Sequence, residues 1–345
     1  MSDKILVLLF SLILSCPSFA QKSELNIQID SLYITVTEST PFNGIVLVSV
    51  KGKAQYSKCF GSSDYFEQKS FNLQDQFVIG SISKQITAVL ILREYDKGNL
   101  QLHTPIRKYL PTLPQSWADT VTIHQLLTHT HGIIELDQPL AFPAGSQFQY
   151  SQIGYALLAD IVEKVTGKSF ALTSKKLFQV CKMKSTTHPG LHEYNRLVTG
   201  YTVDASGTVV VKDNSFENYV PAGGFVSTAG DLTIWNECLH KGKLLSDSTY
   251  ALMIKKYATR EHPIFGPTDY GYGISVGKPE GVVQLGQTGY APGYISMDFY
   301  FPETETSVIV LENIDWNPEN IKNAFYYHVR TLQIVRENIK NSSEK

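Results

Sequence analysis

A chain of 345 residues with 43% apolar and 18% charged side chains is long enough to bury a substantial core. A formal net charge of -2, with no basic runs, argues against nucleic acid as the main partner. The four cysteines, Cys16, Cys59, Cys181 and Cys238, have neither zinc-ligand nor disulfide-framework spacing. The last three read as small buried hydrophobes, with at most one pair placed to bridge.

In chain order, Met1-Ser-Asp-Lys4 precedes an apolar run from Ile5 to Leu14 and then Ser18-Phe-Ala20. A basic start, a short apolar stretch and small residues at 18 and 20 read as a cleaved secretory signal over 1–20. The mature protein would then be periplasmic or secreted. The run is short for a membrane span, which needs about 20 residues, and no stable span is expected after cleavage. An uncleaved anchor and lipidation at Cys16 stay open as alternatives. Residues 21–345 are expected to form a single catalytic domain.

Glu24 to Glu38 carries Leu25, Ile29, Leu32 and Tyr33 near helical spacing. Asn43 to Val50 and Ala54 to Phe60 flank Lys51-Gly-Lys53, which predicts a β-hairpin. Phe77-Val-Ile-Gly80 then leads from an apolar strand into a helix opening at Ser81, amphipathic through Ile82, Ile86, Val89, Leu90 and Leu92, and stopped at Gly98. Ser81 and Lys84 share one face of that helix. A serine hydroxyl needs a base, an amine one turn away can serve or tune one, and the helix N-terminus favours a developing oxyanion. Spacing alone decides little: Ser275 to Lys278 and Ser342 to Lys345 match it too, and a surface serine and lysine would look the same. The strand–glycine–helix setting belongs to Ser81 alone.

From about Leu102 to Asn218 the pattern is mostly helical and looped, including Ile153 to Thr166 and Phe170 to Leu177. Strands return at Gly271–Val276, Val282–Leu285, Tyr294–Phe301 and Ser307–Leu311, before a last helix from about Pro318 to Ile339. The expected fold class is α/β (α+β). An antiparallel sheet is built from N- and C-terminal segments and flanked by helices. A mostly helical subdomain is inserted at about 102–218, and the site lies in the cleft between them. Thr128-His-Thr-His131, with His124 and Asp137 nearby, raises a metal reading. Gly132-Ile-Ile-Glu135 stands where an Asp-His step would be needed, so a pair of helix-end histidines is expected, with no metal and no cofactor.

Further stretches resemble the β-lactamase-related serine hydrolases, which include class C β-lactamases, D-alanyl-D-alanine peptidases, penicillin-binding proteins, D-amino-acid peptidases and esterases. Lys97 to Pro111 resembles the segment after their nucleophile helix. Ile123-His-Gln-Leu-Leu-Thr-His-Thr-His-Gly132 resembles their LLTHTSG signature, with His131 in place of Ser. Phe142 to Gln152 resembles the stretch ending in YSN, and Pro221 to Asp231 and Leu285 to Tyr294 match two later landmarks. The resemblance runs through nearly all of the mature chain in the family's order. It implies Ser81 as nucleophile of an acyl-enzyme, with Lys84 and Tyr150 sharing the proton transfers. It also implies an oxyanion hole from the backbone N–H groups of Ser81 and Tyr290, and Thr288 and Gly289 along the substrate strand. Gln152 replaces the usual Asn. Gln287 replaces a Lys or His, which removes a cation that binds substrate carboxylates and lowers the tyrosine pKa. An ester, amide or peptide is therefore expected as substrate rather than an efficiently hydrolysed β-lactam. The alternative is a non-catalytic or weakly active binding or sensor protein on the same fold, against which the retention of Ser81, Lys84 and Tyr150 weighs.

Overall fold

A computed structural model describes residues 23–34 and 41–343; the 1–20 segment read as a signal, with Cys16, lies outside the described residues. After helix α1 (Glu24–Ile34), strands β1 (Gly44–Val50) and β2 (Lys53–Phe60) form the expected hairpin. Its two-residue turn places both Lys51 and Gly52 at positive φ, 52° and 73°, the geometry whose twist matches paired strands. Two short pairs follow: β3 (Ser62–Asp64) with β4 (Lys69–Ser70), and β5 (Phe77–Val78) with the later β8 (Val226–Ser227).

Next come helices α2 (Ser83–Asp96), α3 (Ile123–Leu127), α4 (Ile153–Thr166) and α5 (Phe170–Cys181). Strands β6 (Tyr201–Val203) and β7 (Val209–Val211) precede β8, and α6 (Ala229–His240) and α7 (Asp247–Met253) follow it. The chain then forms β9 (Ala258–His262), β10 (Gly266–Tyr270), β11 (Ser275–Gly277), β12 (Gln284–Ala291), β13 (Tyr294–Phe301), β14 (Thr306–Glu312) and β15 (Ile314–Asp315). It finishes with α8 (Ile321–Ala324) and α9 (Tyr326–Ser343).

The main sheet has the order β2-β1-β14-β13-β12-β11-β10-β9 and is antiparallel throughout. Its centre joins the two ends of the chain: β1 lies along β14 from Gly44 opposite Glu312 to Val50 opposite Thr306. Successive side chains of a strand face opposite ways. Val46 and Val48 accordingly join Met297, Phe299, Val308 and Val310 under α1 and α9, while Ile45 and Leu47 join Ile309 and Leu311 on the face of α2 and α6. The N- and C-terminal sheet segments thus appear as expected.

Three differences bear on the site. Ser81 lies in a 3-10 turn, Gly80–Ile82, and the α-helix begins at Ser83. Helix α2 is not amphipathic: every residue from Ser83 to Leu92 is buried. Its polar residues are used inward: Thr87 Oγ1 donates to the Pro221 carbonyl (2.6 Å), Ser83 Oγ accepts from Phe225 N–H (3.2 Å), and Gln85 Oε1 accepts from Trp235 Nε1 (3.1 Å). Finally, the sequence pattern does not announce the β9–β10 hairpin, nor the small sheet in which β6 pairs with β7 and, in parallel, with β15.

Candidate active site

The turn that carries Ser81 is held by backbone contact. Ile79 N–H donates to the Phe225 carbonyl (3.0 Å), and Ser296 Oγ on β13 donates to the Ile79 carbonyl (2.8 Å). Gly80 has φ +53°, and a Cβ there would lie 2.7 Å from the Tyr290 backbone nitrogen. A Cβ on Gly289 would sit 2.2 Å from the Ile79 carbonyl oxygen. Only glycine fits either position, and the pair lets the turn rest on β12 with the Tyr290 amide beside it. Ser81 itself is half-buried between buried neighbours.

Lys84 is fully buried, and its ammonium has an acceptor for each proton: the Ala222 carbonyl (2.7 Å), Ser81 Oγ (3.2 Å) and Gln152 Oε1 (3.4 Å). Ala222 belongs to a π-helical turn, Val220–Gly224, packed against α2. The ammonium also lies 4.6 Å from the centre of the Tyr150 ring and 5.5 Å from that of Tyr155. Burial lowers the Lys84 pKa, an effect that Tyr150 opposes. Burial alone would raise the Tyr150 pKa. The positive charges of Lys84 and Arg260, with hydrogen bonds from Ser81 and Lys84, reverse this and hold it below the ordinary tyrosine value.

Sequence reasoning missed three contributors. His129, a non-glycine residue at φ +59°, stacks 4.4 Å from the Tyr150 ring. Its Nδ1 accepts from Ser151 N–H (3.1 Å) and its carbonyl from Gln149 N–H (2.8 Å), which brackets Tyr150 on both sides. Burial and the nearby Lys84 push its pKa well down, so the ring is neutral. Arg260 on β9 stacks on the Tyr150 ring, its guanidinium carbon 4.5 Å from the centre. His262, two residues on, meets Thr288 Oγ1 at 3.1 Å. The histidine at 129 is visible in the signature; nothing in the pattern of 258–262 marks the other two.

The remaining expected residues are brought to the same region, though not all into the cleft. Gln287 is buried: its Nε2 donates to the Tyr270 hydroxyl (3.2 Å) and its Oε1 accepts from Ser275 Oγ (3.4 Å). Tyr270 in turn packs 6.5 Å from Tyr150 and 5.2 Å from His129. The β11–β12 pairing ends with Ser275 opposite Gly286, so from Gln287 to Ala291 the β11 side of β12 carries no described strand. His131 occupies space left by Gly154, where a Cβ would lie 2.7 Å from its Nε2. The Nδ1 atoms of His129 and His131 both accept backbone N–H groups, and His124 Nδ1 meets the Tyr272 hydroxyl (2.8 Å). Among the described residues no three His, Cys, Asp or Glu side chains gather to hold a metal. Cys59, Cys181 and Cys238 are free thiols.

The family model described as Beta-lactamase matches residues 36–331. The putative penicillin-binding protein PbpX of Bacillus subtilis is 26% identical over 309 residues, covering 83% of this chain and 74% of its own. The teichoic acid D-alanine hydrolase of Staphylococcus aureus is 24% identical over 256 residues, 69% of this chain and 63% of its own. Among solved structures, the D-amino acid amidase of Ochrobactrum anthropi SV3 shares the fold with a TM-score of 0.79 at 20% identity, covering 92% of this chain and all of that one. The octameric penicillin-binding protein homologue of Pyrococcus abyssi superposes at 0.72 with 25% identity, over 84% of this chain and 73% of its own. With the family model spanning most of the sequence, the chain belongs to the beta-lactamase family.

Proposed function

We propose that this protein is an exported serine hydrolase that cleaves an acyl ester, amide or peptide through an acyl-enzyme on Ser81. The observation that carries the reading is Lys84 Nζ 3.2 Å from Ser81 Oγ while stacked on Tyr150. Tyr150 takes the Ser81 proton as Oγ bonds to the substrate carbonyl carbon. The carbonyl oxygen becomes an oxyanion facing the backbone N–H groups of Ser81 and Tyr290. Collapse of that intermediate breaks the bond to the leaving group, which receives the proton from Tyr150. Water then attacks the acyl-enzyme carbonyl carbon, giving its proton to Tyr150; the acyl–Oγ bond breaks, Oγ takes that proton back from Tyr150, and the acid leaves. The open stretch of β12, with Thr288 and Gly289, takes the substrate main chain alongside it, and the amide of Gln152 steadies Lys84. Relatives named D-amino acid amidase and teichoic acid D-alanine hydrolase make D-aminoacyl amides and esters the first substrates to try.

Incubation with aryl esters and amides of N-acetyl-D-alanine, followed by acid quench and mass spectrometry, should place the acyl mass on Ser81 and none on Ser81→Ala. Failure of these substrates, of D-peptides and of a fluorophosphonate to modify Ser81 would leave a non-catalytic binding protein. Export rests on the apolar run Ile5 to Leu14 before Ala20. The native protein should begin at Gln21, and an intact Met1 or an acylated Cys16 would count against it. Among the described residues no helix is long and apolar enough to cross a membrane.

A further inference from the structure

A cavity of about 650 Å³ lies at the β9 end of the main sheet, on the face covered by α9. That is a size typical of small-molecule sites. It exists because β10 meets β11 only at Asp269 and Tyr270, so the sheet is open from there to Pro267 and Lys278. Helix α9 walls the opening with Val329, Gln333 and Arg336, whose spacing puts them on one helix face. None of Ser81, Lys84, Tyr150 or Thr288 lines it.

The lining is apolar with an excess of positive charge. Ile264, Phe265, Val276 and Phe299 contribute the apolar part, and the rings of Phe265 and Phe299 meet edge to face at 5.8 Å. The charged residues are Lys256, Asp269, Lys278 and Arg336. Lys256 neutralises Asp269 at 2.8 Å; Lys278 is exposed, with no carboxylate within ion-pair distance among the described residues. Arg336 is only 7% exposed. Its Nη1 donates to Gln284 Oε1 at 3.2 Å, and its Nε is buried with no hydrogen-bond partner among the described residues. Glu280, an exposed residue, stands 3.6 Å from Nη2 and is shared with Lys340 at 4.0 Å. Burial lowers the Arg336 pKa, and Glu280 opposes that only in part. A guanidinium taken out of water with so few acceptors is costly, and an entering anion would offset that cost.

We propose that this cavity is a second ligand site, separate from the Ser81 cleft, for a monocarboxylate with an aromatic or other apolar tail. The carboxylate meets the guanidinium of Arg336, whose planar fork of donors matches its two oxygens, and the tail lies against Phe265 and Phe299. Lys278 stands exposed at the rim, where it attracts an anion without being buried by it. With Arg336 as the one buried cation, a monoanion fits the charge of the interior and a dianion exceeds it. The site is independent of the hydrolase reading, because it shares none of the residues assigned to acyl transfer.

Calorimetry on the full-length protein tests this with 3-phenylpropanoate and 3-phenylpropanamide, which share a tail and differ in charge. The acid should bind about ten- to a hundredfold more tightly, as for a charged hydrogen-bonded pair. Arg336→Gln should remove that preference, and Arg336→Lys should keep part of it. Gln333→Trp, which fills the cavity from α9 without changing its charge, should abolish binding of both compounds. Arg260→Gln, which alters the Ser81 cleft, should leave the affinity for the acid unchanged. Thermal melts confirm that each variant is folded, and Gln333→Trp carries the test alone if Arg336→Gln is not. Absence of acid binding, equal affinity for acid and amide, or binding that survives Gln333→Trp overturns the proposal. Acid binding lost in Arg260→Gln and kept in Arg336→Gln would place the ligand in the cleft and overturn it too.

Discussion

Tyr150→Phe should slow acylation of Ser81 by about a hundred- to ten-thousandfold, the range for loss of a positioned general base. The substitution removes one oxygen and keeps the ring, so the stacking with Lys84, Arg260, His129 and Tyr270 is retained and the fold should be little affected. What disappears is the proton acceptor hydrogen-bonded to Ser81. Lys84 stays within 3.2 Å of Ser81 Oγ, but its proton-accepting lone pair exists only when the amine is neutral, and its three acceptors favour the ammonium form. The measurement is a single-turnover labelling rate with a neutral fluorophosphonate, followed by mass spectrometry of the Ser81 peptide. Equal rates for wild type and Tyr150→Phe would remove Tyr150 from the mechanism and transfer the base role to Lys84.

How much of this site is legible in the sequence varies with the kind of signal. The turn that carries Ser81 is legible because its constraints are local: an apolar strand, a glycine forced by the Tyr290 backbone, then serine and lysine a turn apart. The sheet is legible because β1, β13 and β14 are β-branched and aromatic runs buried on both faces. Tyr150 is legible only through resemblance, since nothing in its own neighbourhood distinguishes it from other tyrosines. Helix α2 misleads because Ser83, Gln85 and Thr87 resemble a wet face, yet each hydrogen-bonds inward to 221–225 or Trp235, residues far away in the chain.

The β9–β10 hairpin escapes for the converse reason. Ala258-Thr-Arg-Glu-His262 and Gly266-Pro-Thr-Asp-Tyr270 have almost no apolar alternation, and Pro267 argues against a strand. β9 is the edge strand, and β11 pairs with β10 only at Asp269 and Tyr270, so Pro267 has no strand on its β11 side and is tolerated there. Arg260 and His262 therefore look like solvated loop residues in the sequence, where Gln287 alone speaks for the charge of the site. Motif positions report what one strand contributes; a field is the sum over every strand that reaches the site.

Lys84→Ala should lower turnover at neutral pH by about a hundredfold or more and move the acid limb of the kcat/KM profile to higher pH. Tyr150 must be deprotonated to take the Ser81 proton. Burial raises its pKa, and Lys84, then Arg260, pull it below the ordinary value. Removing the ammonium leaves the effect of burial less opposed, so the Tyr150 pKa rises. At a fixed pH below it, the phenolate fraction falls about tenfold each time the pKa climbs by one. The sign is unambiguous because the other groups packed on the ring bring no compensating charge. His129 is held neutral by burial, and the pKa values of Tyr155 and Tyr270 are pushed well above 10.0, chiefly by burial, so both stay protonated. Arg260→Gln should move the limb the same way by less, since Lys84 is the larger charge effect on Tyr150. Activity of Lys84→Ala should partly recover as pH is raised through the new limb. Loss of the ammonium also strands the buried Ala222 carbonyl, at a cost of about 1–3 kcal/mol in stability, so melts accompany the kinetics. An acid limb that stays in place or moves down in Lys84→Ala would show that Lys84 does not act through Tyr150.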